Sequence, residues 1–295
     1  MTTLADKIRA RSFVVTTELT PPKGIDLADL FAKADALKGV VDAINLTESP
    51  RARMAVEPKS VGRLLLERGI EPIVQFTGRD RNRIALQSDI LGAAVLGLNN
   101  VVFMGGDDPK NGDHPEAKPV FDLNTSDMLR AATALNAGKD MSGAPLKGAP
   151  HLFPGATVNP GASNLTAEAE NTRRKIDAGA QFFQTQAVYD VESLLRFIDA
   201  SKPDEVALLV GIIPLKSFKM ATWLNENVPG IVVPQSCLQE MAAVNGDAEA
   251  ELRVSIAMAQ RIIREVTPHC AGVHLMALGW ERYIPEILRG VVPRL

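Results

Sequence analysis

The sequence predicts a (β/α)8 barrel, and three observations carry that expectation. Eight short β-rich runs alternate with helical patterns over about 280 residues, close to the roughly 250 typical of the fold. Several helical patterns end in glycine, as helix C-termini often do. No glycine fingerprint of the dinucleotide-binding type follows the first strand, which sets the barrel ahead of a doubly wound open sheet. Strand count alone admits both folds.

The first run, residues 12–19 (SFVVTTEL), is rich in Val and Thr and reads as a strand. Pro21 and Pro22 follow it, and neither has the backbone N–H that a sheet ladder needs, so Glu18 sits where strand gives way to loop. Later strand-like runs fall at 41–47, 71–78, 100–106, 151–159, 181–189, 205–214 and 272–279. Helical patterns occupy 26–39, 59–69, 83–97, 125–138, 164–179 and 191–202, then a long stretch over 237–266 and a last one over 280–291. The only linker-like segment is GKDMSGAPLKGAP, before the fifth strand, so one domain over residues 1–295 is expected, with a short lead-in at 1–11.

Composition narrows the classes of function. The 295 residues are 46% hydrophobic and 23% charged, enough for a sizeable core. A net charge of −3 provides no basic footprint for nucleic acid or an anionic membrane surface. Cys237 and Cys270 are too few for a disulfide framework or a Cys-based zinc site, which favours a reducing, cytoplasmic setting. The N-terminal residues lack the apolar core of a signal peptide, and no apolar run approaches membrane-spanning length. A soluble protein is expected.

In a barrel the active site is assembled at the C-terminal ends of the strands. Reading each strand to its end yields Glu18, then Thr47 and Glu48, then Thr77, Arg79 and Asp80, then Asp107 and Asp108, Asn159, Gln186, and the segment PLKSFK. Such a rim suits an extended polar ligand, although polar residues collect at strand ends in any case. Glu18 and Asp107 stand out because each closes an apolar strand beside a proline- or glycine-rich turn. The segment GGDDPKNGD lacks the ending of a phosphate loop and the ligand spacing of a calcium loop. The four histidines show no metal-ligand pairing, and His274, inside the last strand, reads as structural. No metal site is expected. Arg173, Arg174 and Lys175 form either a solvated basic face or a clamp for a phosphorylated cofactor.

Six segments, in order, resemble one family: TELTPPKG, DAINLTESPRARM, the long stretch from Phe76 to Leu123, NTRRKIDAGAQFFQTQAVYDVE, GIIPLKSFK and GVHLMALGWE. The chain resembles methylenetetrahydrofolate reductase, a flavin-dependent (β/α)8-barrel family, over nearly its whole length. The detail looks most like the short bacterial form, a catalytic barrel alone. The resemblance implies reduction of 5,10-methylenetetrahydrofolate to 5-methyltetrahydrofolate, with FAD as cofactor and NADH or NADPH as reductant. It puts the catalytic glutamate on Glu18 and the flavin-facing aspartate on Asp107. It puts folate contacts on Gln186 and Phe218. Flavin contacts fall on Thr47, Asn171, Arg174 and Lys175, with looser matches at Asn159, Ala162 and Glu168.

Three positions depart from the family pattern. Gly105 stands for an arginine before the GD turn, Gly155 for a tyrosine near the flavin, and Trp280 for an arginine at the folate tail. They bear on the flavin grip, the folate tail and the reductant. The resemblance also implies a homo-oligomer, and in some members an electron-transfer partner subunit. An iron–sulfur donor, if used, lies on another chain, because no cysteine cluster is present. The competing readings are a pterin-binding methyltransferase barrel and a folate-binding subunit that works only with a partner.

Overall fold

A computed structural model describes residues 2–292. Eight parallel strands close into a barrel in chain order: β1 (Val14–Leu19), β2 (Ala43–Leu46), β3 (Pro72–Thr77), β4 (Asn100–Met104), β5 (Phe153–Val158), β6 (Phe182–Ala187), β7 (Ala207–Ile212) and β8 (Gly272–Leu275). The expected (β/α)8 barrel is the observed one, and every strand lies within its expected run. The strands persist because their outward residues, among them Val15, Ile44, Val74, Phe76, Phe103, Phe183 and Val210, are buried beneath the helices.

The helices are α1 (Leu4–Arg9), α2 (Ala28–Leu37), α3 (Pro58–Glu67), α4 (Arg83–Val95), α5 (Thr125–Asn136), α6 (Leu165–Asp177), α7 (Val191–Ser201), α8 (Phe218–Asn227), α9 (Gln235–Ala243), α10 (Ala248–Val266) and α11 (Ile284–Leu288). Side chains of Asn82, Asn124 and Asp190 accept hydrogen bonds from the first-turn amides of α4, α5 and α7, satisfying groups that have no partner inside the helix. Two expectations need correction. The stretch 237–266 is two helices, because Gly246 takes φ +93° and Asp247 then caps α10 through the amides of Glu249 and Ala250. The stretch 280–291 is a 3-10 turn over Glu281–Tyr283 followed by the short α11. Helix α8 was not signalled by the sequence pattern at all.

Inside the barrel, side chains alternate with the outward set and form layers. The lowest layer is apolar: Val14, Ala43, Ile73, Val102, Phe153, Phe182 and Leu209, with the Phe153 and Phe182 rings stacked 5.1 Å apart. The lead-in completes this floor. Its α1 carries a capping box of Thr3 and Asp6, and fully buried Leu4 packs against the floor residues. The carboxylate of Glu71, just before β3, accepts the Leu4 N–H at 2.8 and 2.9 Å and pins the helix start.

Closure depends on β8 lying against β1 in one register, with Val14 opposite Gly272 and Thr16 opposite His274. A Cβ on residue 272 would run into the carbonyl oxygen of Val14, so only glycine permits this approach. Gly272→Ala is therefore expected to destabilise the fold by about 1–3 kcal/mol, read as a lower urea midpoint with an unchanged slope.

Candidate active site

Above the apolar floor the barrel interior turns polar. Thr16, Asn45, Gln75, Thr157, Gln184 and His274 occupy inward positions where barrels of this kind mostly carry Val, Ile and Leu, and Gln75, Thr157, Gln184 and His274 line a cavity of about 1210 Å³. Asn45 and Gln184 exchange reciprocal amide hydrogen bonds of 2.7 and 3.0 Å. His274 Nδ1 lies 2.9 Å from the Thr16 hydroxyl and 3.4 Å from Gln184 Nε2. Gln75 is 7% exposed, and among the described residues its side-chain amide has no hydrogen-bond partner. A buried amide left open toward a cavity is a group waiting for a ligand.

The strand ends supply the next layer. Glu18, Thr47, Asp107, Asn159, Glu168, Lys175 and Gln186 all line the cavity, so most of the expected site residues converge. Glu18 is half-buried, with Oε2 3.7 Å from His274 Nε2, and no lysine or arginine pairs with it among the described residues. His274 is thus more than structural packing: it stands directly behind the candidate acid. The double proline after β1 accepts a bond from Val56 N–H at the Pro22 carbonyl, joining the first two loops. Asp107 follows Gly106, whose φ of +91° turns the chain back over the barrel, and its carboxylate accepts the Arg51 N–H at 2.8 Å. Arg51 lies in a loop where Ser49, Arg51 and Ala52 all have positive φ, a conformation that costs energy for non-glycine residues.

Glu168, on α6, organises its own neighbourhood: it accepts from Asn159 N–H at 2.9 Å and from Asn171 Nδ2 at 3.2 Å. Lys175, two turns further on, is buried and donates to the Thr157 carbonyl at 2.7 Å. Burial pushes its ammonium pKa down, and the nearby Arg174 guanidinium pushes it down further against the opposing pull of Glu168. The basic cluster is not a three-cation clamp, however. Successive helical residues diverge by about 100°. Lys175 accordingly points into the barrel, Arg173 donates to the Ala200 carbonyl, and Arg174 is exposed.

Other expected residues stand apart from the cavity. Ala162, Asn171, Arg174 and Phe218 do not line it, and Phe218 is half-buried against the core at the first turn of α8. Glu48 faces away: it accepts from Thr77 N–H and Oγ1 and from Arg81, which also grips Asp89, itself paired with Lys59. Arg79 is bound to Asp80 at 2.7 Å. These rim residues fasten β2 to β3. Gly155 has the Phe182 ring against it, so a tyrosine there would displace the floor, whereas Gly105 has open space around it. Trp280 makes an edge contact with Tyr283 and carries the Lys216 ammonium 5.6 Å above its ring.

The site fits an elongated, partly anionic cofactor. The cavity is large enough for a dinucleotide, the buried Lys175 ammonium hydrogen-bonds the Thr157 carbonyl and forms no ion pair within 4 Å among the described residues, and the Gln75 amide is open. No cluster able to hold a metal ion occurs among the described residues, and no described helix is long and apolar enough to cross a membrane.

Comparison with known proteins identifies the family and the fold. The sequence profile of the family described as methylenetetrahydrofolate reductase matches residues 3–291. The chain is 28% identical to the 5,10-methylenetetrahydrofolate reductase of Pectobacterium carotovorum over 224 residues, 73% of this chain and 70% of that one. It is 26% identical to the Salmonella typhimurium enzyme of the same name over 255 residues, covering 85% and 80%. Among solved structures, a Clostridium thermocellum protein described as binding two copies of 5-methyl-5,6,7,8-tetrahydrofolic acid superposes with a TM-score of 0.64 at 17% identity, covering 99% of this chain and 98% of that one. That likeness supports the fold.

The ion network behind the rim makes its own prediction. Glu48→Gln takes the charged bidentate partner from half-buried Arg81, which keeps Asp89, and a loss of about 1.5–3 kcal/mol in unfolding free energy is expected, measured by chemical denaturation.

Proposed function

The chain belongs to the methylenetetrahydrofolate reductase family, and from that premise we propose that it reduces 5,10-methylenetetrahydrofolate to 5-methyltetrahydrofolate, with FAD as cofactor and NADH or NADPH as reductant. The observation that carries this reading is Glu18: a carboxyl group that lines the cavity, with a histidine behind it and no lysine or arginine pairing with it among the described residues. A general acid needs that freedom, because a carboxylate locked to arginine holds its charge and gives up no proton.

The reaction breaks the bond between the methylene carbon and N10 of the folate, and N10 needs a proton as it leaves. Glu18 delivers that proton, and His274 faces the carboxylate that remains. A flavin held in the cavity would supply the hydride for the methylene carbon once NADH or NADPH has reduced it. Asp107 presents negative charge to the cation left on the ring-opened folate. Gln186 has its Oε1 tied to the Ala187 N–H at 3.0 Å, which leaves its amide N–H groups to orient the pterin. Stacking of Phe218 on the aminobenzoyl ring requires the first turn of α8 to shift, since the ring packs on the core in this conformation. The family resemblance would put Thr47, Asn159, Ala162, Glu168, Asn171, Arg174 and Lys175 around the FAD, and Lys175, the member of the basic cluster that lines the cavity, would meet its diphosphate.

Two variants test the assignments. Glu18→Gln should retain flavin and still oxidise the reductant, while folate reduction falls by about 10²–10⁴-fold; stopped-flow measurement of the two half-reactions separates these, and normal folate turnover would remove Glu18 as the acid. Lys175→Met should weaken FAD binding by about 1.5–3 kcal/mol, read by flavin fluorescence titration. The visible spectrum of the purified protein is the broadest check. Flavin bleached by NADH or NADPH and restored by methylenetetrahydrofolate supports the proposal, and failure to take up FAD sinks it.

A further inference from the structure

We propose that Thr185 is a positioning residue for Gln186: its hydroxyl holds the peptide between Gln186 and Ala187 in the orientation that ties down the Gln186 side chain where it lines the cavity. The hydrogen bonds that carry this are independent of any ligand. The consequence for folate binding rests on the reading of Gln186 as a pterin contact.

Strand β6 has one residue more than β7 between two paired positions, since Gln184 lies opposite Leu209 and Ala187 opposite Gly211. Thr185 and Gln186 share the place opposite Val210 as a β-bulge, a device that re-aims side chains beside active sites. Glycine at 211 admits the bulge, because a Cβ there would lie 2.2 Å from the Thr185 carbonyl oxygen. In an unbroken ladder the Gly211 N–H would go to a main-chain carbonyl of β6. Here it goes to the Thr185 hydroxyl oxygen at 2.8 Å, while the Gly211 carbonyl accepts the Val188 N–H at 2.9 Å. The hydroxyl in turn donates to the Gln186 carbonyl at 2.7 Å. At the other end of that same peptide, the Ala187 N–H donates to Gln186 Oε1 at 3.0 Å.

The direction of each bond is dictated by the groups that make it. A backbone N–H only donates and a backbone carbonyl only accepts. Gly211 therefore takes the hydroxyl oxygen, the hydroxyl proton is left for Gln186, and the Gln186 side chain must present its oxygen to Ala187. The carbonyl of Gln186 and the N–H of Ala187 belong to one rigid plane. Thr185 is 3% exposed, so no bulk water stands in for its hydroxyl. Without that hydroxyl the Gly211 N–H and the Gln186 carbonyl both lose a partner, and the peptide is free to rotate. Rotation moves the Ala187 N–H off Gln186 Oε1 and releases the side chain.

The test uses the full-length chain saturated with FAD. Thr185→Val keeps the shape and removes the hydroxyl, and Thr185→Ser keeps the hydroxyl. Amide hydrogen exchange by NMR reads the peptide, and calorimetric titration with 5-methyltetrahydrofolate reads the site. Thr185→Val is expected to speed exchange at Ala187 and Gly211 about 3–10-fold, with Ile44, on β2 across the barrel, unchanged. It should also weaken 5-methyltetrahydrofolate binding about 3–10-fold, as Gln186→Ala does, with FAD affinity unaltered and Thr185→Ser close to wild type. Unchanged exchange at Ala187 in Thr185→Val overturns the proposal. So does a Thr185→Ser variant that behaves like Thr185→Val, or binding that Gln186→Ala weakens and Thr185→Val does not. If Thr185→Val does not fold, Thr185→Ala takes its place with the same expectations. A wild type that does not bind 5-methyltetrahydrofolate, or a Gln186→Ala variant that binds it normally, refutes the functional reading, and exchange at Ala187 then decides the proposal by itself.

Discussion

The contact on which the site depends is the seam where β8 meets β1. Strands from opposite ends of the chain come close enough to bond only because residue 272 has no side chain to strike the Val14 carbonyl. That seam sets Thr16 beside His274, and from there the alternation of the strand places Glu18 one step higher on the same interior wall. A slip of one residue would turn Glu18 toward the helices and Thr17 toward the cavity. The placement of Glu18, of His274 behind it and of the polar layer below them follows from one backbone approach.

The polar layer is an expensive way to fill a barrel, since each buried amide or hydroxyl loses water. The cost is offset by pairing: Asn45 with Gln184, and Thr16 with His274. Among the described residues Gln75 and the Thr157 hydroxyl have no such partner, and both line the cavity. The outer side of β2 and β3 is handled differently, by charge, with Glu48, Arg81, Asp89 and Lys59 chained between the strand ends. Inside, neutral groups keep the site free of fixed counter-charges near Glu18; outside, ion pairs hold the wall that supports it.

Much of this was legible in the sequence where a signal is local. Runs of Val, Ile and Phe bounded by turns located all eight strands, and a carboxylate before Pro-Pro marked Glu18. Helix α8 was missed because FKMATWLNEN has no clean apolar stripe, and the break at Asn245-Gly246-Asp247 was hidden inside a long helical period. The polar layer was missed although its signal was present: Asn45, Gln75 and Gln184 each interrupt an apolar run at an inward position. A single polar residue in a strand has no stated partner until the barrel closes. The basic cluster was legible only as two alternatives, because adjacency along a helix separates side chains in space: Arg173 and Arg174 lie on the exposed side and Lys175 turns to the cavity.

The stopper formed by α1 carries a further consequence. With Leu4 sealed among Val14, Phe153 and Phe182, the barrel is a cup and not a tube. Solvent therefore meets Glu18 from the side of the strand ends, where its carboxyl group lines both the main cavity and a smaller one beside Leu278 and Gly279, and a ligand seated in the main cavity would stand over that carboxyl group.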